Sequence, residues 1–397
     1  MPWTEIVSAT GGFAGQVAYK SATTALVAAG TNEGGAVLVD ATTKSMNQTL
    51  AVGSMILSLA LSTSGAAVAA GPALLGAPVS YLSKDGGTSW VPSQDKAAGF
   101  NGAVAGHKLV SMGGSKFAYV AEFNSWANGT VCHHAPISLQ CSGVLISEDS
   151  GSTWDHIDWG GTDSAGCDSQ DGAFPSDKVW YLSGGYYAEG SSRRARKDAL
   201  RRGLRYPALA PRGRSIPEPI YYARATIMKT EDGGKSFRNV FNVTTPSDET
   251  KNAGFGIMND IGCSGELLCY AVSTCQDSNP CMDTDKPKER GYGSYIHKTA
   301  DGGVTWDTVH FEYEMVFDTI NVLSAESFVI AGQTVGFLGS ARIFSSTDGG
   351  KTLNTSSLPG AGIAFDVDMA RDGKTGWATA IKPDAANSGW SVWQFKA

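Results

Sequence analysis

Short runs in which apolar and polar residues alternate, or small apolar residues follow one another, recur along almost the whole chain. Clusters of Gly, Ser, Thr and Asp separate them. A period of two is that of a strand with one buried face, and the Gly-rich punctuation marks tight turns. From Gln16 onwards the runs fall into fours. Strands over 16–20, 25–29, 36–39 and 48–52 form a first set, and 55–61, 66–70, 79–83 and a run opening at Trp90 a second. The third is 108–112, 117–122, 143–147 and 154–158; the fourth is 172–174, 179–183, 223–229 and 237–242. Then come 256–261, 267–273, 294–298 and 306–311, followed by 317–323, 327–332, 341–345 and 353–357. The last set, 363–369, 376–381 and 390–395, is one strand short, and the orphan run 3–7 at the other chain end supplies it. Pairing the two ends closes a ring and removes the free strand edge that an open array would carry. The pattern therefore predicts seven four-stranded sets, with a ring of six, its first or last set merged, as the alternative.

One short stretch recurs between the third and fourth strands of five sets. It reads Ser83-Lys84-Asp85-Gly86-Gly87-Thr88-Ser89-Trp90 first, then Ser147-Glu148-Asp149-Ser150-Gly151-Ser152-Thr153-Trp154. The same frame returns around Asp232, Asp301 and Asp348, the last closing on Leu353 instead of an aromatic. In a tight reversal the Asp carboxylate accepts hydrogen bonds from N–H groups of its own turn, and Gly supplies the positive φ. The five aspartates thus read as turn staples, and their recurrence marks a repeat architecture.

These stretches resemble the Asp-box (BNR) repeat nearly position by position. The resemblance implies an all-β, seven-bladed β-propeller in which the repeats lie on the face away from the usual binding site. It is a marker of fold and says little of chemistry. The overall layout looks like the photosystem II stability/assembly factor family, which are non-catalytic protein-binding propellers, and like the wider sialidase-like superfamily. A sialidase would need an arginine triad and an early Arg-Ile-Pro motif, but no Arg precedes Arg193, so the first arginine of the triad has no candidate.

Composition narrows the setting. Charged residues are 17 %, Gly 49 and Trp 10 of 397 residues, a profile of many strands and tight turns. A net charge of −7 argues against general nucleic-acid binding, and no apolar run is long enough for a membrane-spanning helix. Six of the seven cysteines fall in close pairs, Cys132/Cys141, Cys263/Cys269 and Cys275/Cys281, without a CxxC zinc spacing. Local disulfides are expected, other pairings among the last four remaining open, and with them an oxidising, extracytoplasmic compartment. Cys167 is left over. Sequons at Asn47, Asn128, Asn242 and Asn354 fit a secreted glycoprotein. The start, Met1-Pro2-Trp3-Thr4, lacks the shape of a signal peptide, so a mature or engineered terminus is expected there.

Connections of unequal length point to a working surface. Four are long, 123–142, 159–171, 184–222 and 274–293, and in a propeller all four emerge on the face opposite the turns, over blades three to five. The longest holds Arg193, Arg194, Arg196, Arg201, Arg202 and Arg205, a basic cluster on an acidic chain, which suits an acidic partner or a polyanionic glycan. Tyr186, Tyr187, Tyr221 and Tyr222, with Trp126 and Trp159, offer a stacking platform for sugars. A glycosidase or lyase would draw its carboxylates from the same face, where Asp163, Asp168, Asp171, Glu189, Glu218, Asp277, Asp283, Asp285 and Glu289 stand undistinguished. Cys132-His133-His134 does not read as a metal site, because adjacent side chains of an extended segment point apart. No metal and no cofactor is expected. The sequence thus reads as a single-domain binding or scaffold propeller for a protein or glycan partner, with a carbohydrate-active enzyme as the alternative.

Overall fold

Short alternating strands build seven antiparallel four-stranded sheets in the computed structural model. It describes residues 3–30, 34–52, 56–71, 79–93, 103–124, 140–158, 167–189, 221–241, 257–275, 293–335, 339–383 and 389–397. Blade 1 is β2 (Phe13–Tyr19), β3 (Thr24–Gly30), β4 (Gly34–Asp40) and β5 (Ser45–Val52), and blade 2 is β6 (Ser58–Leu61), β7 (Ala67–Gly71), β8 (Val79–Ser83) and β9 (Val91–Pro92). Blade 3 takes β10 (Ala103–Gly113), β11 (Lys116–Asn124), β12 (Gln140–Ser147) and β13 (Asp155–Asp158). Blade 4 takes β14 (Cys167–Ala173), β15 (Trp180–Glu189), β16 (Tyr221–Thr230) and β17 (Arg238–Asn239). In blade 5 these are β18 (Ile257–Cys263), β19 (Cys269–Cys275), β20 (Gly293–Thr299) and β21 (Asp307–Tyr313). Blade 6 holds β22 (Met315–Val322), β23 (Phe328–Thr334), β24 (Ala341–Ser346) and β25 (Asn354–Ser357). Blade 7 joins β26 (Ile363–Met369), β27 (Thr375–Lys382) and β28 (Gly389–Lys396) to β1 (Trp3–Thr10) from the other end of the chain. The molecule is a seven-bladed β-propeller, and Trp3 lies opposite Phe395 in the closing pair of strands. Among the described residues no helix is long and apolar enough to cross a membrane.

Each seam between neighbouring blades carries its own apolar cluster. Val68 and Ala70 of blade 2 meet Phe117, Tyr119 and Trp154 of blade 3, and Trp377 and Trp390 of blade 7 meet Val27 and Val39 of blade 1. Seven such clusters surround the axis, so each sheet buries both faces against its neighbours. This explains why the inner strands read as continuous small-apolar runs such as Ala25–Ala29, every one buried. Blades 1 and 2 approach so closely that a Cβ on Gly15 would strike the Leu57 carbonyl.

The five recurring turns form as the sequence predicts. Asp85 accepts from the Thr88 and Ser89 N–H groups (3.0 and 2.8 Å) and the Ser83 and Ser89 hydroxyls (2.7 and 2.6 Å). Asp149, Asp232, Asp301 and Asp348 each accept from the backbone and hydroxyl four residues on. Gly86 and Gly87 have φ of 70° and 86°, the left-handed region glycine tolerates. Each turn also donates an N–H to the first-to-second connection of its own blade, as from Gly86 to Gly65 (2.8 Å) and from Gly302 to Leu267 (2.9 Å). On the same face Tyr181 and Tyr270 donate their hydroxyls to the carbonyls of Glu266 and Ala325 in the next blade (2.6 Å each).

Two expectations shift. The strands run further into the long connections than the pattern implies, so β11 reaches Asn124, β12 starts at Gln140, β15 reaches Glu189 and β16 starts at Tyr221. Residues of high strand propensity, such as the Tyr186-Tyr187 and Tyr221-Tyr222 pairs, extend the ladder there. Conversely, the fourth strands of blades 2 and 4 shrink to two residues, because Trp90 and Phe237 pack inwards ahead of the strand instead of opening it.

Candidate functional site

The innermost strands place the chemistry that sequence reasoning did not find. Six of them carry a bulge at the same height, between Ala14 and Val17, Gly106 and Lys108, Ser169 and Asp171, Met258 and Asp260, Phe317 and Thr319, and Ala364 and Asp366. A bulge interrupts the ladder, and the axial edge of an innermost strand has no strand partner, so N–H groups there need other acceptors. Neighbouring blades supply them. Asp260 Oδ2 accepts from Ile320 N–H of the next blade (2.7 Å), and Asp366 Oδ2 from Val17 N–H across the closure (2.9 Å). Asp368 accepts from Tyr19 N–H (2.8 Å) and Asn321 Nδ2 (3.1 Å). Gln16, buried, reaches two blades at once: its Oε1 accepts from Leu59 N–H (3.2 Å) and Leu109 N–H (2.9 Å), and its Nε2 donates to the Leu109 carbonyl.

Lys108 is the cation of this cluster. Its Nζ lies 2.8 Å from Asp171 Oδ2 and 2.8 Å from Asp260 Oδ2, tying blade 3 to blades 4 and 5, with 19 % of its side chain accessible. Burial works against the ammonium, but Asp171, Asp260 and Asp366 outweigh it and hold Lys108 charged well above the usual lysine range. Burial and the neighbouring Asp260 carboxylate push Asp171 well above the usual carboxylate range against the pull of Lys108. Burial likewise raises Asp366 to about 6 and raises Asp368, partly offset by Lys108 and the backbone N–H groups. Asp260 has no idle oxygen: Oδ2 serves Lys108 and Ile320, and Oδ1 takes the Ile261 N–H. The arrangement fastens all seven inner strands together and fills the axis with committed polar groups. Buried His297, between Ser273 Oγ (2.9 Å) and Thr308 Oγ1 (3.1 Å), is driven down to about 3 by burial and stays neutral.

The residues predicted for binding fare differently. Arg193, Arg194, Arg196, Arg201, Arg202, Arg205, Trp126 and Trp159 lie outside the described residues, as do Cys132, Cys281, Asn128 and Asn242. Tyr186, Tyr187, Tyr221 and Tyr222 come together at the end of one hairpin, where Tyr186 pairs with Arg224 and Tyr222 with Ala188. Of the candidate carboxylates, Asp171 belongs to the innermost strand β14 and to the Lys108 cluster, not to a connecting loop. Asp168 lies on the same strand, Glu189 ends β15, and the rest fall outside the described residues. Cys263 and Cys269 form a disulfide across the β18–β19 hairpin. The backbones of Cys141, Cys167 and Cys275 stand on strands, Cys167 opposite Tyr186. Asn47 and Asn354 are exposed on β5 and β25, the outermost strands of blades 1 and 6.

No family model and no curated protein matches this chain. Among solved structures, YCF48 bound to a D1 peptide superposes with a TM-score of 0.55 at 12 % identity, over 100 % of this chain and 96 % of that one. The GH74 enzyme of Niastella koreensis gives 0.55 at 14 %, and the GH74 xyloglucanase of Xanthomonas campestris 0.54 at 12 %. Both cover 98 % of this chain, which spans about half the length of each enzyme, 55 %. At such identities the likeness is one of fold.

Proposed function

We propose that this propeller is an extracytoplasmic binding or scaffold module, built on Asp-box repeats in one domain, that docks an acidic protein or polyanionic glycan on the long-connection face of blades three to five. The observation that carries the reading is the commitment of the axis. In the fold most of the axial carboxylate oxygens described are engaged by Lys108 or by strand-edge N–H groups, which leaves recognition to the long-connection face. There the blade 4 hairpin extends ten residues on each strand and leads into the basic segment 193–214. The similarity in fold to YCF48, solved with a peptide bound, is consistent with a protein-binding use. The Cys263–Cys269 disulfide and the exposed sequons Asn47 and Asn354 support the compartment.

The test is binding of an acidic peptide and of a sulfated glycan, followed by fluorescence anisotropy at two salt concentrations. Changing Arg193, Arg194, Arg196, Arg201, Arg202 and Arg205 to Ala should weaken binding, and the difference should shrink at high salt as exposed charges are screened beyond about 8–10 Å. Binding that survives these changes but fails on substitution in the turn face would overturn the reading.

A second reading, a glycoside hydrolase, rests on one observation: Asp171, with its raised proton affinity, stands beside Asp260 on a shared lysine. Hydrolysis of a β-glucan that is abolished by Asp171→Asn in a protein of unchanged fold would establish it.

A further inference from the structure

Two successive seams of the ring are built on the same plan but end differently. Between blades 5 and 6, the extra residue of the β18 bulge is Asn259. Its Nδ2 donates to Thr274 Oγ1 on its own blade (2.8 Å) and to the Phe317 carbonyl of blade 6 (2.6 Å). Thr274 pairs with Ile257, two residues before Asn259. One blade further on, the extra residue of the β22 bulge is Asp318, and Gln333 pairs with Val316, two residues before it. Ala364, the residue before the β26 bulge, takes the place of Phe317. Thus Asp318 stands where Asn259 stands, and Gln333 where Thr274 stands.

The substitution removes the donor of the bulge residue, and at Gln333 it is the carbonyl Oε1, not the Nε2 amide, that is left buried and unmatched. An amide always brings N–H groups, whereas an ionised carboxylate only accepts. The consequence is visible at the two positions: among the described residues, Asp318 Oδ2 and Gln333 Oε1 are both buried without a hydrogen-bond partner. Such oxygens are costly when unmatched, and an ionised one is the costliest. One proton on Asp318 restores the donor that the plan of the seam requires.

We infer that Asp318 is a proton-operated latch on the seam between blades 6 and 7, closed when its carboxyl carries the proton and donates as Asn259 does, and loosened when the proton leaves for solvent. Burial alone pushes Asp318 up to about 8, which places the release near neutrality.

The charged and titratable groups on the strands packed against β22 are engaged elsewhere. On β18, Asp260 serves Lys108 and the Ile320 N–H. On β26, Asp366 serves Val17 N–H, and Asp368 serves Tyr19 N–H and Asn321. On β20, Tyr295 packs on Phe311, His297 is neutral between Ser273 and Thr308, and Lys298 lies over the Tyr270 ring with Glu326 at 3.9 Å. On β19, Tyr270 donates to Ala325, Cys269 is in its disulfide, and Cys275 ends the strand. β23 carries no ionisable side chain, and Glu314, ahead of β22, is exposed.

The experiment is urea unfolding of the full chain and of Asp318→Asn across about pH 5 to 9. Asp171, Asp366, Asp368 and the turn aspartates are common to both proteins, so their titration cancels in the ratio of the two unfolding constants. Because the folded carboxyl holds its proton where the unfolded one, near 3.8, has lost it, that ratio should rise with pH. The rise should approach tenfold per pH unit and level off near pH 8. A flat ratio, as when an ordered water satisfies an ionised Asp318, overturns the inference. Hydrogen exchange of the wild-type chain at about pH 6 and about pH 9, corrected for intrinsic rates, gives a check that needs no variant. Loss of protection centred on β22, β23 and β26 is expected. Protection there that changes no more than in blades 1 to 4 overturns the latch.

Discussion

Aspartates close the turns of blades 2 to 6, and others stand at the axis, and the two groups have opposite proton affinities. At the rim, Asp232, Asp301 and Asp348 are held down to about 2, above all by the hydroxyls four residues on and in their own turns. Asp85 is lowered as well, by Ser89 first. At the axis Asp171, Asp366 and Asp368 are raised, burial being the largest cause for each. The difference is one of solvent. A turn carboxylate keeps water and adds several donors, so its charged form is favoured; an axial carboxylate gives up water for one or two donors, and the balance reverses. The same residue type is a local staple in one place and, in the other, a bolt between strands that depends on Lys108.

Removing that lysine should have the largest effect. Lys108→Met leaves Asp171 and Asp260 buried without their cation and should cost about 3–5 kcal/mol in urea unfolding. Adding Asp171→Asn in the same chain should recover part of the loss, since Asp171 already leans towards its protonated form. A Lys108→Met protein as stable as the parent would remove the axis from the comparison. A single turn staple should matter less: Asp149→Ala forfeits its hydroxyl and backbone bonds at about 1 kcal/mol, the scale of a lost side-chain cap.

Acid and base should then separate the two groups through the melting temperature. The rim carboxylates have lowered values, so their stabilisation is complete above about 4 and is lost as pH falls through about 2. Asp366 has a raised value, so its contribution is complete below the ordinary 3.8 and is lost as pH climbs through about 6. The melting temperature should therefore rise from about pH 2 to 4 and droop above about pH 4, the share of Asp366 being lost by about pH 6 and that of Asp318 by about pH 8. Asp366→Asn, which keeps an acceptor for Val17 N–H, should flatten part of the droop and leave the acid limb unchanged. If both limbs changed together, the two populations of aspartate would not be independent. The smallest effect belongs to Asn47→Gln and Asn354→Gln on the exposed outer strands, expected to leave the melting temperature of unglycosylated protein within a degree or so.

Features that close within a few residues were legible in the chain alone. Each turn closes within eight residues, so Ser83, Asp85, Gly87 and Ser89 announce their own hydrogen bonds. Strand alternation needs only neighbouring residues, and the Cys263–Cys269 pair spans six. Even ring closure was legible, because a last set one strand short leaves few partners for Trp3–Thr10. The axis was not. A ring of blades brings one residue from each innermost strand to a common centre, so Gln16 meets Leu109 across 93 positions and Asp366 meets Val17 across 349. Nothing near Lys108, Asp260 or Asp366 in the chain distinguishes them from strand residues that face solvent. Asp171, noted in the sequence as a loop carboxylate, became part of the axis only once its strand was placed. Likewise Asp318 gains meaning only when blade 6 is laid over blade 5 and the donor that Asn259 supplies is found missing. Local hydrogen bonding is written in spacing; which charges share a dry interior is decided by how the blades close upon one another.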